Sequence, residues 1–240
     1  MRSLRALTKA FAQSSHHYNA SLPISIDVLE PVGFRRYRLK VGHKEMTTKS
    51  MKPLHKGERY WGNFSEAKDG ILTISNLKKK PLLMQFDSAF TPVDSFDFLA
   101  PFLEAKEPSM VLKNWLLEAL ANCEDKAKFH TLSSMLLALH EGIVHLPLSI
   151  DSRLLLLQWR ENQNLNEPLV DFYLAYDNLG AVKGVINLEE NHILLECLFE
   201  RTALFLTHQI PNAPFQCDIK TKENLSLLWE GVNGLLDIKG

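Results

Sequence analysis

Residues 168–200, PLVDFYLAYDNLGAVKGVINLEENHILLECLFE, alternate apolar and polar side chains in three short runs. Val170, Phe172, Leu174 and Tyr176 share one face of an extended chain, with Asp171 on the other. Val182, Ile186 and Leu188 oppose Lys183, Asn187 and Glu189, and Ile193, Leu195, Cys197 and Phe199 oppose His192 and Glu196. A period of two in runs this short predicts strands with one buried face. Gly180 can close the loop opened by Asp177-Asn178, because glycine accepts a positive φ without steric cost. Glu190-Asn191 suits a tight hairpin. The stretch therefore predicts an antiparallel three-strand meander, followed by an amphipathic segment over about 202–209.

Around it the chain reads as α+β. Residues 22–80 predict a small β-barrel-like module of OB or SH3 type. Ile24, Ile26 and Val28 alternate with Ser25 and Asp27, Tyr37, Leu39 and Val41 alternate with Arg36, Arg38 and Lys40, and further strands lie near 60–64 and 71–74. Residues 81–142 predict a helical connector. It comprises a short helix over 95–105, one from an N-cap at Ser109 to about Asn122, and one over about 124–141 ending at Gly142. Residues 143–240 form the C-terminal α+β unit, with a strand over 215–220, a helical turn over 224–229 and a last strand over 235–238. Residues 1–21 read as a flexible basic arm without the apolar core of a secretory signal.

Charge divides the chain in the same way. Residues 1–80 hold 16 Lys+Arg against 6 Asp+Glu, and residues 81–240 hold 11 against 22. This predicts two units, the first suited to an acidic surface. The sign change and the prolines after residue 80 also predict that a fragment of about 95–240 folds alone. Cys123, Cys197 and Cys217 are too few and too scattered for a disulfide framework, which predicts a reducing, cytoplasmic setting. No run approaches the roughly 18 apolar residues of a membrane span.

Catalytic motifs are missing. His140 and His145 stand five apart with Gly142 between them, whereas a zincin helix needs histidines four apart on one face. No glycine-rich phosphate loop and no nucleophile elbow occurs. The expectation is a protein without a catalytic site, metal or cofactor.

The order of a strand, Asn178-Leu179-Gly180, Val182-x-x-x-Ile186, a polar turn, a strand ending in Phe199-Glu200 and a short helix resembles the C-terminal domain of flagellar hook-length control proteins. Residues 143–148 and 154–160 resemble the strand pair leading into it. The resemblance covers roughly 143–220 and departs at Asp177, where the family often has proline, and after Glu200, where Pro211 and Pro214 shorten the helix. It implies a non-enzymatic factor that changes the substrate class of the flagellar type III export gate. The implied partner is the cytoplasmic domain of the export-gate switch protein or a short homologue of it. Such a protein would lie in the cytoplasm at the export apparatus, with its own export left open. The long Pro/Ser/Gln-rich ruler segment of that family has no counterpart here, so the resemblance is to the switch domain alone. Tyr176, Asn178, Leu179, Gly180 and Val182 are the implied partner-binding residues. Leu179 reads either as a core residue or as an apolar anchor projecting from the loop.

A second reading starts from Phe34-Arg35-Arg36-Tyr37-Arg38. With Tyr60, Trp61 and Phe64 on a neighbouring strand they form a candidate stacking platform with phosphate contacts, as OB-like proteins use on single-stranded nucleic acid. The same cations would equally serve an acidic protein partner.

Overall fold

Alternation drives the first sheet. In the computed structural model, β2 (Arg36–Val41) and the first half of β1 (Ile24–Gly33) bury every second residue. β3 (Lys44–Lys49), β4 (Arg59–Glu66) and β5 (Leu72–Lys79) complete an antiparallel five-stranded sheet in the order β3-β2-β1-β4-β5. The described residues are 22–42, 44–50, 52–66, 72–85, 93–94, 102, 105–150, 153–162, 168–210 and 215–231. The arm at 1–21 and the strand expected at 235–238 lie outside them, as does almost all of the helix expected at 95–105.

The second sheet has seven strands. They are β6 (Val93–Asp94), β7 (Val144–Ile150), β8 (Arg153–Asn162), β9 (Leu169–Tyr176), β10 (Gly180–Asn187), β11 (His192–Cys197) and β12 (Gln216–Thr221). The order is β12-β11-β10-β9-β8-β7-β6, antiparallel from β7 to β11 and parallel at both edges. The meander expected over 168–200 is β9-β10-β11. Gly180 has φ +73 at its first turn and Asn191 has φ +51 at its second.

Three helices, α1 (Pro108–Ala121), α2 (Lys126–His140) and α3 (Glu200–Gln209), cover one face of this sheet. Their buried Leu112, Leu116, Leu132, Met135 and Leu206 meet Leu146, Leu157, Leu174, Val182 and Leu195 in one cluster. Each such side chain removed from water is worth about 1.5–3 kcal/mol. Ser109 is not the cap of α1: Glu107 precedes it, and Pro108 fills the first turn, where no backbone N–H is needed. The side chain of Asp125 caps α2 by accepting from Lys128 N at 2.7 Å.

The opposite face is also buried, which corrects the one-sided reading of the meander. β9 is buried without interruption from Phe172 to Tyr176. Tyr173 and Ala175, with Leu156 of β8 and Ala181 of β10, pack against Trp61 of the first sheet, and against Met84 in the turn that follows it. Residues 222–231 then run across this face as an irregular strap. Leu225, Leu227 and Leu228 join the same cluster, so the helical turn expected at 224–229 is absent. Gln158 of β8 anchors the strap end. Its Oε1 accepts from Leu228 N at 2.9 Å and Trp229 N at 3.2 Å, and its Nε2 donates to Trp229 O at 2.8 Å.

Candidate functional site

The loop between β9 and β10 is held from three sides. Leu179 N donates to Tyr176 O at 3.2 Å, closing the turn. In the first turn of α3, Thr202 Oγ1 donates to Leu179 O at 2.6 Å inside the core. Gly180 lies against the Phe199 ring, and a Cβ there would sit 2.6 Å from it in a backbone conformation that side chains rarely adopt.

The third hold comes from the other sheet. Lys80, whose side chain is 3% exposed, forms an ion pair with Asp177, donates to Ser25 Oγ at 2.7 Å, and lies 5.6 Å above the Trp61 ring. Gln85 Nε2 donates to the Lys80 carbonyl at 2.6 Å. A buried ammonium requires such partners, because an uncompensated charge in this setting costs several kcal/mol. Asp177 thus ties this loop to the first sheet.

Of the five expected partner-binding residues, Tyr176, Leu179, Gly180 and Val182 are buried and Asn178 is half-buried. The projecting-anchor reading of Leu179 is corrected: it is 0% exposed and belongs to the helix-side core. A leucine in a loop goes inside when a glycine beside it lets the chain turn back over the core, and Gly180 does so here.

The nucleic-acid platform is corrected in the same way. Trp61 is 1% exposed, and Tyr60 is buried with its hydroxyl on the Glu58 carboxylate. Burial, reinforced by Glu58, pushes the Tyr60 hydroxyl up to about 12. Hydrogen bonds from Lys79 and Tyr60 hold Glu58 below the usual carboxylate range. The Phe64 side chain lies outside the described residues. Arg38 is neutralised by Glu30 at 3.1 Å, with Glu45 at 3.9 Å, whereas Arg35 and Arg36 stand exposed at the β1–β2 turn. Between them and β1 the ring of Phe34 projects into solvent, with the Arg35 guanidinium 5.5 Å from its centroid.

His145 sits in β7, fully buried, with its ring 5.0 Å from that of Trp229 and its Nδ1 3.2 Å from Gln158 Nε2. Burial pulls its pKa down to about 3. His140 ends α2, and among the described residues no group of three His, Cys, Asp or Glu could hold a metal ion. Burial pushes the Cys197 thiol up to about 12, as suits a small core residue. Among the described residues no helix is long and apolar enough to cross a membrane.

Comparison with family models, curated proteins and solved structures gave no match for this chain.

Proposed function

We propose that the protein is a non-enzymatic interaction factor of the flagellar type III export apparatus, built around a domain of the hook-length control, or substrate-specificity switch, type. The observation that carries this reading is the Asn178-Leu179-Gly180 loop. It joins two central strands of the second sheet, and the residue pair that ends the family pattern, Phe199-Glu200, begins the helix that clasps it. A rigid loop of this kind suits recognition, since a preorganised surface loses little entropy on binding. In this reading residues 22–80 form a small OB- or SH3-like barrel, 81–142 connect, and 143–240 carry the switch function. The partner is the cytoplasmic domain of the export-gate switch protein, met in the cytoplasm.

With the anchor role of Leu179 gone, the contact surface of the loop centres on Asn178. Calorimetric titration of the full chain against that purified cytoplasmic domain tests the reading. Binding is expected, and Asn178→Arg should weaken it at least tenfold while leaving the melting temperature unchanged. A folded chain that gives no heat of binding defeats the proposal. The single-strand alternative keeps its cations and the exposed Phe34, but the burial of Tyr60 and Trp61 takes those two rings from its platform.

A further inference from the structure

Several cations of the first sheet are paired with carboxylates. Arg38 meets Glu30, Arg59 meets Asp27 at 3.4 Å, Lys79 meets Glu58 and Lys80 meets Asp177. At the β1–β2 end, Arg36 faces Lys49 directly across the β2–β3 ladder, and among the described residues neither has a carboxylate partner. Like charges opposed on a ladder repel, so the arrangement is tolerated at a cost unless an anion meets it. From the middle of this basic end projects Phe34, 87% exposed, beside Val32 at 46%. The turn is fixed: Arg35 holds φ +50, and its carbonyl accepts from Ser50 N at 2.9 Å.

The opposite chemistry occurs elsewhere on the same chain. An open cleft of about 560 Å³ lies between the start of α1, the α2–β7 turn and the end of β8. Trp159 and Val144 give it an apolar wall, and Glu141 and Glu161 supply two exposed carboxylates. Its one cation, Arg160, is already bonded to Asp171 at 2.9 Å. At Gly142 an added Cβ would meet nothing within 4 Å, so the mouth is open there. A basic knob tipped by a phenylalanine and an acidic cleft walled by a tryptophan are complementary in both charge and apolarity. The division of the sequence into a basic first third and an acidic remainder extends that match beyond the contact itself.

We propose that the β1–β2 end of one copy docks in the Trp159 cleft of a second copy, with Phe34 against Trp159 and Val144 and with Arg35 and Arg36 facing Glu141 and Glu161. Knob and cleft are different surfaces, so the contact is head-to-tail. It extends into a chain unless the rotation between copies closes a ring. A nucleic-acid strand fits the knob less well, because successive bases need successive ring faces and, among the described residues, Phe34 is the one exposed ring at this end. The proposal is independent of the export reading.

Sedimentation equilibrium of the full chain tests it. Average mass should rise with concentration and return toward the monomer in high salt, since exposed charges carry much of the contact. Phe34→Asp, which removes the knob, and Glu141→Lys with Glu161→Lys, which blocks the cleft, should each give a monomer with an unchanged melting temperature. Mixed one to one, the two variants should form a dimer and nothing larger, because one intact knob meets one intact cleft. A wild-type chain that stays monomeric up to about 0.5 mM, where even weak contacts populate, overturns the proposal. So does association that survives Phe34→Asp. Tight binding of a labelled oligothymidine that Phe34→Asp abolishes, without self-association, would instead assign the knob to nucleic acid.

Discussion

Lys80 and Asp177, 97 residues apart in sequence, form an ion pair that fastens the first sheet to the β9–β10 loop of the second. The pair sits where Trp61 enters the core of the second sheet, so charge and apolar burial fix the same joint.

Removing one partner of this pair should cost far more than replacing both. Asp177→Ala leaves the Lys80 ammonium buried without its counter-charge, and the expected loss of unfolding free energy is about 3–5 kcal/mol. Lys80→Met combined with Asp177→Leu should recover most of that loss, since an apolar pair of similar volume can fill the same space. Urea unfolding of the two variants checks this, and equal losses would refute it.

Leu179→Ala is expected to lower stability by about 2–5 kcal/mol, as for other fully buried leucines. Gly180→Val should be worse, because it adds a clash with Phe199 to a strained backbone. Thermal melts decide the matter: a normal melt for Leu179→Ala would contradict the burial of this side chain.

Gly184 provides a test of close packing in β10. A Cβ there would lie 2.5 Å from the Leu194 carbonyl oxygen and 2.7 Å from the Phe172 ring. The ring can move but the backbone oxygen is held in the β10–β11 ladder. Gly184→Ala should therefore destabilise by about 1–3 kcal/mol despite the good intrinsic behaviour of alanine. Chemical denaturation of the variant would reveal the difference.

The buried imidazole of His145 makes stability depend on pH. Its pKa falls to about 3 in the folded chain from an ordinary 6.5, so between those values the unfolded chain binds a proton that the folded chain refuses. The contribution is fully present above pH 6.5 and is lost as the pH drops, by about 1.4 kcal/mol per unit. Between pH 6.5 and 5 the wild type should lose about 1–2 kcal/mol more than His145→Gln, read from unfolding curves at each pH. Parallel pH profiles for the two proteins would show that His145 is not buried neutral.

What the sequence disclosed follows from locality. β9, β10 and β11 were legible because each pairs with its neighbour through a short turn, and Gly180 and Asn191 mark those turns. β3 was missed because KEMTTK is an edge strand whose inward positions, Met46 and Thr48, are only half-buried, with Met46 its one apolar residue. The strand at β12 was expected, but its parallel partner is set by α3 carrying the chain back, which local pattern does not record. Lys80 ends a run of three lysines, and such a run looks solvated until Asp177 and Trp61 are placed beside it. Tyr60 and Trp61 looked like a platform because adjacent aromatics on a strand read the same whether they face water or, as here, the first sheet's own core and the second sheet. The independence expected of residues 95–240 is put in question on the same ground, since without Trp61 that fragment would leave Tyr173, Ala175 and Ala181 uncovered.

The strap at 222–231 comes later in the chain than every strand it crosses. During synthesis at about 5–20 residues per second, the sheet can form its ladders while one side, with Tyr173 and Leu156, still lacks part of its cover. When Leu228 and Trp229 arrive, their backbone groups complete the hydrogen bonding of the buried Gln158 amide, which also meets His145. Closing this face therefore relies on a contact between residues 71 apart, Gln158 and Trp229. Until it is complete, the nascent chain presents a sticky sheet surface of the kind that chaperones bind.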